Sequence, residues 1–133
     1  MHNQIFVNLP VADLDRSVRF FTALGYTFNP TFTDENATCM ILGENLFAML
    51  LVAPYFETFT GVALVDGHRQ VEVILAVPLE SRGDVDAHLD KVLAAGGTES
   101  RPAQDHGFMY LRAYQDPDRH RWEAFHMSGD PPA

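Results

Sequence analysis

Two glutamates in the second half of the chain carry carboxylates that β-strands could direct into a cavity. Glu72 lies in the alternating stretch Val71–Val77 and Glu123 in the stretch Arg121–Met127, and both stretches are typical of β-strands. If both side chains face one cavity, the two carboxylates repel each other unless a cation lies between them. A metal ion could bridge them, one could act as a general base, or the pair could face a cationic ligand or Arg112. The alternative is that both are solvated or paired with arginine.

Other side chains that commonly take part in catalysis form no motif. The six histidines stand at none of the spacings of known metal sites, and only His106, beside an aromatic strand, merits separate attention. Cys39 is the single cysteine and lies in an apolar run, so we predict a small core residue rather than a nucleophile. The sequence contains no nucleophilic triad, phosphate-binding loop or dinucleotide fingerprint.

A row of residues near the end of the chain could contact a ligand without reacting. On a concave face its aromatic members would form a wall and its arginine would anchor an anion. If this row instead faces a helix, the alternate residues Met109, Leu111 and Ala113 would line the cavity. We favour the first arrangement, because small apolar residues suit the side that packs against a helix. The row consists of Phe108, Tyr110, Arg112 and Tyr114.

The composition excludes several classes of partner. The formal net charge is −9 and the nine basic residues are scattered, so nucleic-acid binding is not expected. The longest apolar run, Leu46–Ala53, is too short to cross a bilayer, and the N-terminus has no signal-peptide pattern. With one cysteine no internal disulfide forms, so we expect a cytoplasmic protein without a membrane partner.

One structural unit is used twice. Shifting residues 13–27 by 71 positions places them on residues 84–98 with five identities, among them Asp13 on Asp84 and Gly25 on Gly96. In both copies the apolar residues follow the spacing of one helical face between a polar cap and a glycine stop. The first helix is predicted to begin at Asp13, and the second to be capped by Ser81 or Asp84. The sequence therefore predicts a duplication.

Each half is predicted to run strand, helix, strand, strand, strand. The 133 residues, 47% of them hydrophobic, suit a single domain with a real core. We predict a first module over about residues 4–53, a linker over about 54–69 that begins with a short helix, Pro54–Thr60, and a second module over about 70–127.

Three passages give the chain a family resemblance. They are Val11–Ser17 with the following Phe20-Phe21 and Leu24-Gly25, the helix end Leu93–Gly97, and the run Asp116–Glu123. In these passages the chain resembles the vicinal oxygen chelate superfamily, which includes glyoxalases, bleomycin-resistance proteins and extradiol dioxygenases. Arg119 stands where the family usually has glycine. Either the turn there needs a positive φ, at which this arginine costs roughly 1 kcal/mol, or the turn has a different shape.

The resemblance implies the fold and the position of the site. It implies an α+β protein in which two paired βαβββ modules curl their mixed sheets around a cavity, with the helices on the convex side. The concave face would then carry Phe6, Asn8, Met49 and Phe125 as ligand contacts. A homodimer is also implied.

The resemblance also locates the metal ligands of the family in this sequence. Two of the four positions fall on Glu72 and Glu123, which become the candidate catalytic and metal-binding residues. The other two fall on Phe6 and on Met49 or Ala48, none of which binds a hard metal ion. A catalytic divalent site usually needs three protein ligands, and the two-histidine iron site of the dioxygenases is missing.

The sequence thus leaves two functions open. The first is binding of a small organic molecule with divalent-metal-assisted lyase or isomerase chemistry of the glyoxalase type. The second is metal-free binding or sequestration of a small molecule, as in bleomycin-resistance proteins.

Overall fold

The computed structural model describes residues 1–66 and 69–129, and the chain divides into two compact units. The first unit ends at Asp66, and the second comprises the rest of the chain. Gly67 and His68, at the end of the predicted linker, lie outside the described residues.

The first unit contains a four-stranded mixed sheet. Strands β1 and β4 run parallel, and the other neighbours are antiparallel in the order β1-β4-β3-β2. A single 3-10 turn, Pro30–Phe32, follows β2. The predicted short helix is confirmed as α2. The elements are β1 Ile5–Val11, α1 Leu14–Ala23, β2 Thr27–Asn29, β3 Ala37–Gly43, β4 Leu46–Val52 and α2 Ala53–Thr60.

The second unit repeats this topology. Its strand order β5-β8-β7-β6 matches that of the first sheet, again with one parallel pair, β5 with β8. The chain is therefore an α+β protein with two βαβββ modules, as predicted. The elements are β5 Ile74–Pro78, α3 Arg82–Ala94, β6 Thr98–Asp105, β7 Met109–Gln115 and β8 Arg121–Met127.

The two helices of the repeat end in the same way but begin differently. The Asp13 carboxylate accepts a hydrogen bond from the Arg16 amide at 3.1 Å and begins α1. Ser81, rather than Asp84, caps α3 by accepting from the Asp84 amide at 3.0 Å. Gly25 and Gly96 follow the two helices with φ angles of 103° and 100°, which a residue with a Cβ rarely adopts. The glycines thus end both helices at equivalent positions, whereas α3 begins about one turn earlier than the repeat predicts, because Ser81 is its cap.

The first sheet has one core face and one open face. Leu9 and Val11 of β1 meet the core, where Leu9 is paired in register with the buried Leu50. Phe20 and Phe21 of α1 are buried as well. Asn8 and Met49 are paired on the opposite face, and so are Phe6 and Phe47, whose rings stack with centroids 4.8 Å apart. The row predicted to be concave therefore faces away from the core.

The aromatic row of β7 corrects a prediction. Tyr110 donates a hydrogen bond to Asp86 of α3 at 2.7 Å, Arg112 donates to the same carboxylate at 3.1 Å, and Tyr114 shares a hydrogen bond with His88 at 3.0 Å. Tyr110, Arg112 and Tyr114 thus face α3, and their predicted place on the concave face is wrong. The physical reason is that α3 directs polar side chains towards the sheet, which hydroxyl and guanidinium groups satisfy. Phe108 lies in the bend before β7.

The structure also corrects the predicted start of β5. The strand begins at Ile74, so Glu72 lies before it and is exposed. Ile74 pairs with Arg121, the first residue of β8, and the ladder between the two strands begins at this pair. The residues before Ile74 therefore have no ladder partner on β8, although their alternating pattern is typical of a strand.

The Asp116–Glu123 run forms a buried turn. Asp116 is buried, and its Oδ1 accepts hydrogen bonds from the amides of Asp118 and His120 at 2.8 and 3.1 Å. The Trp122 indole donates to its Oδ2 at 3.0 Å. Arg119 has a φ of 69°, so of the two alternatives the turn has the left-handed residue. The run is thus a structural motif that joins β7 to β8.

His88 should make the second unit acid-sensitive. Burial, assisted by the charge of Lys91, lowers the pKa of His88 from 6.5 to about 4. Between these pH values the unfolded chain binds a proton that the folded state does not, so the free energy of unfolding falls as pH falls. We expect the free energy of unfolding to fall by about 3 kcal/mol between pH 7.5 and pH 4.

Urea unfolding at several pH values should show this loss of stability, and the stability of His88→Gln should depend much less on pH. If the free energy of unfolding falls with pH as steeply in His88→Gln as in the surface control His106→Gln, the acid sensitivity does not come from His88.

Candidate functional site

The open face of the first sheet forms one wall of a cavity of about 370 Å³. Asn8 and Met49, two of the residues predicted to contact a ligand, line this cavity. All the described residues that line the cavity belong to the first unit, to its βαβββ module and the helix that follows it. The lining residues are Asn8, Thr31, Phe32, Thr33, Asp34, Ala37, Met49, Leu51, Tyr55 and Phe59.

Helix α2 supplies the aromatic part of the lining. It begins directly after β4, with Pro54 in its first turn, where the missing amide hydrogen is not needed. Tyr55 and Phe59 are one helical turn apart and both line the cavity. Their rings meet edge to face, with centroids 5.0 Å apart and an interplanar angle of 80°. Gly61 ends the helix in the left-handed conformation, with a φ of 71°.

The 3-10 turn after β2 supplies a polar part of the lining. The Asn29 side chain caps this turn by accepting from the Thr31 amide at 3.0 Å. Thr33 then donates from its hydroxyl to the Asn29 carbonyl at 2.8 Å and lies 2.9 Å from the Thr38 hydroxyl. These bonds hold Thr31, Phe32 and Thr33 beside the sheet, so this side of the cavity is built from a fixed turn.

Asp34 is the only residue with a formal charge among those that line the cavity. Its Oδ1 accepts from the amides of Asn36 and Ala37 at 2.8 and 3.1 Å, which fixes the turn into β3. Among the described residues its Oδ2 has no hydrogen-bond or ion-pair partner. The cavity thus combines an apolar floor, aromatic side chains and one carboxylate oxygen available to a ligand.

Most of this lining was not predicted from the sequence. Asp34, Phe32, Tyr55 and Phe59 lie outside the strands that carry Asn8 and Met49. The signal that could have found them is the aromatic content of the predicted helix Pro54–Thr60, because a short exposed helix rarely needs so many rings. Phe6 lies on the same face, half exposed against Phe47, but is not part of the lining.

Glu123 lies on the sheet face of the second unit that points away from α3. Its side chain is 14% exposed and accepts a hydrogen bond from Arg101 at 2.7 Å. The two charged residues lie on β6 and β8, on either side of the small Ala113 of β7. Phe125 pairs with Leu111 on the same face. The partner of Glu123 is thus Arg101.

Arg112, the partner considered from the sequence, is engaged elsewhere. It forms two hydrogen bonds with Glu99, at 2.9 and 3.0 Å, and one with Asp86. These carboxylates raise the pKa of Arg112 above its ordinary value. Arg112 and Glu123 therefore lie on opposite faces of the sheet, and the proposed pairing between them is wrong.

The donor set does not fit a divalent metal ion. Phe6 and Met49, at the family ligand positions of the first module, offer no oxygen or nitrogen. In the second module Glu123 is paired with Arg101, and Glu72 is exposed outside β5. Over residues 1–66 and 69–129, no group of three or more His, Cys, Asp or Glu side chains is arranged to hold an ion.

Cys39 is buried in β3, and burial raises the pKa of its thiol. This confirms its predicted place in the core and makes it a poor nucleophile. In the part of the chain that the structure describes, no helix is both long and apolar enough to cross a bilayer.

Comparison with known proteins identifies the fold. Residues 4–43 match the family model described as bleomycin resistance protein-like N-terminal. No curated protein matches the chain.

Solved structures match over almost the whole chain. A glyoxalase-related enzyme from Fulvimarina pelagi has a TM-score of 0.82 at 22% identity, with 100% of this chain and 94% of that chain covered. A glyoxalase/bleomycin resistance protein/dioxygenase from Nocardioides has a TM-score of 0.75 at 25% identity, with 100% and 89% covered. The fosfomycin resistance protein FosX from Mesorhizobium loti has a TM-score of 0.70 at 13% identity, with 95% and 92% covered. The chain thus has the fold of the glyoxalase and bleomycin-resistance proteins, which confirms the resemblance to the vicinal oxygen chelate superfamily.

Proposed function

We propose that the protein binds a small organic molecule in the cavity of its first unit and does so without a metal ion. The observation that carries this proposal is the cavity itself, which lies between the open sheet face, the 3-10 turn and α2. Its volume of about 370 Å³ falls within the range of roughly 300–1,000 Å³ that small-molecule sites occupy.

The lining has the chemical character of a ligand site. Met49, Leu51 and Ala37 offer apolar surface, whereas Asn8 and Asp34 offer a few polar groups that can orient a molecule. The position of Asn8 and Met49 in neighbouring strands makes the floor rigid, because the β1–β4 ladder fixes their separation. A rigid floor lowers the entropy lost when a ligand binds.

The metal-assisted lyase or isomerase reaction implied by the family resemblance has less support. It would use Glu123 and Glu72, but Arg101 already neutralises Glu123 and Glu72 lies outside the strand. The matches to FosX and to the glyoxalase-related enzyme support the fold alone at their level of identity. Binding or sequestration without metal is therefore the better-supported function.

A thermal-shift screen tests both functions together. We expect at least one class of small organic molecule to raise the unfolding midpoint in a saturable way, since a ligand of the native state stabilises it. The shift should be the same in EDTA and in added Mn²⁺ or Zn²⁺. A flat screen over chemically diverse molecules would contradict the proposed binding. A stoichiometric divalent ion that is lost in Glu123→Gln or Glu72→Gln would support the metal-assisted reaction instead.

A further inference from the structure

The aromatic side chains at the cavity are unusually exposed for their size. Phe32, Tyr55 and Phe59 line the cavity and are 60%, 37% and 68% exposed. Burial of each ring would be favourable. Tyr55 and Phe59 meet edge to face, with an interplanar angle of 80°, so each ring keeps at least one face that the other does not cover. Exposed ring faces beside an open volume suit a compact cation, because they carry negative charge density.

The charge around the cavity has the matching sign. Asp34 Oδ2 is the available carboxylate oxygen, and none of the ten lining residues is lysine, arginine or histidine. Residues 1–66 carry seven carboxylate side chains and only two arginines, Arg16 and Arg19. Both arginines belong to α1, whereas the cavity lies on the sheet face opposite the core. The local field therefore favours a positive ligand.

We propose that the ligand of this cavity is a small organic cation with a quaternary or fully alkylated ammonium group. The proposal rests on the proposed function and specifies its ligand class. Tyr55, Phe59 and Phe32 surround the ammonium, Asp34 supplies the counter-charge, and the apolar part of the ligand lies on the floor formed by Met49 and Leu51. A primary ammonium is a weaker candidate, because it is strongly hydrated and the apolar floor cannot replace its hydration.

Three probes of similar shape and different charge test the ligand class. Isothermal titration of the full chain with benzyltrimethylammonium should show binding at least about tenfold tighter than with neopentylbenzene, its neutral isostere. Phenylacetate, an anion of related size, should bind more weakly than either. The affinity for the cation should also fall as salt is added, since the site is open to solvent.

Two variants separate the charge from the aromatic contribution. Asp34→Asn removes the charge but keeps an Oδ1 that can accept from Asn36 and Ala37, and should weaken cation binding by about tenfold. Glu35→Gln is the matched control, because it removes the neighbouring charge from a residue outside the lining and should change the affinity less than about twofold. Phe59→Leu keeps apolar surface but removes a ring face, and should weaken cation binding by about fivefold.

The results distinguish an error in the proposed ligand class from an error in the proposed function. Equal affinity for benzyltrimethylammonium and neopentylbenzene, or equal effects of Asp34→Asn and Glu35→Gln, would overturn the ligand class while leaving the cavity as the binding site. Absence of binding for all three probes, in a protein that other molecules stabilise, would also overturn the class. Failure of every molecule in the wider screen would instead contradict the proposed function itself.

Discussion

Replacement of Met49 by tryptophan should abolish small-molecule binding, with an affinity loss of about 100-fold or more. Met49 lies in the middle of β4, in register with Asn8 on one side and Cys39 on the other. Its side chain is partly exposed and lines the cavity, so a larger indole extends into the empty volume rather than into the core. The indole then occupies the space in which the ligand would contact β4. Titration with a molecule that stabilises the wild-type protein measures the effect.

Phe47→Trp is the matched control for this prediction. Phe47 lies on the same strand and the same face as Met49, two residues earlier, but stacks on Phe6 and does not line the cavity. It should bind the ligand as the wild-type protein does. Retained binding in a folded Met49→Trp protein would mean that the ligand occupies another site.

Replacement of Asp116 by alanine should destabilise the second unit by about 3–5 kcal/mol. The change leaves the amides of Asp118 and His120 and the indole of Trp122 without their acceptor at a buried position. Each unsatisfied buried donor costs about 1–3 kcal/mol, less where water can enter. Trp122 is the single tryptophan of the chain, so its fluorescence during urea unfolding reports on this unit directly.

Asp116→Asn tests whether the acceptors, rather than side-chain volume, carry this effect. The amide keeps an oxygen for the two backbone donors but no longer offers two acceptor atoms, so we expect a smaller loss of stability. Burial raises the pKa of the Asp116 carboxyl, because loss of hydration disfavours its charged form. Equal destabilisation by Asn and Ala would contradict the proposed role of the acceptor atoms.

The duplication could be predicted from the sequence because local chemistry determines it. Asp13, Gly25 and Gly96 act within one helical turn of their positions, as caps and as left-handed stops. Such signals need no knowledge of the tertiary contacts. The alternation of β1 likewise identified the face that carries Asn8, whereas Met49 was indicated by the family resemblance, with Ala48 as the alternative.

The orientation of β7 and the beginning of β5 could not be predicted in this way. Both faces of β7 carry large side chains, and only the polar residues of α3, such as Asp86, decide which face meets the helix. The length of β5 depends on where β8 begins. Both the orientation of β7 and the length of β5 depend on contacts with residues distant in sequence, and the periodicity of a single strand carries no information about such contacts.

The site was predicted only in part for the same reason. The carboxylates Glu72 and Glu123 were selected through the family resemblance, and only tertiary structure reveals that Arg101 pairs with Glu123. The lining from α2 and the 3-10 turn depends on how these short elements return over the sheet. Tyr55, Phe59 and Asp34 therefore emerge as candidates from the structure.

Methyl NMR of protein labelled with [methyl-13C]methionine tests the central claim most directly. The chain has five methionines, of which Met49 lines the cavity, Met40 is buried in the core, and Met109 and Met127 belong to the second unit. On titration with a stabilising ligand, the Met49 resonance, assigned with Met49→Leu, should show the largest shift and should saturate. A saturable shift of Met109 or Met127 with an unchanged Met49 signal would contradict a binding site in the first unit.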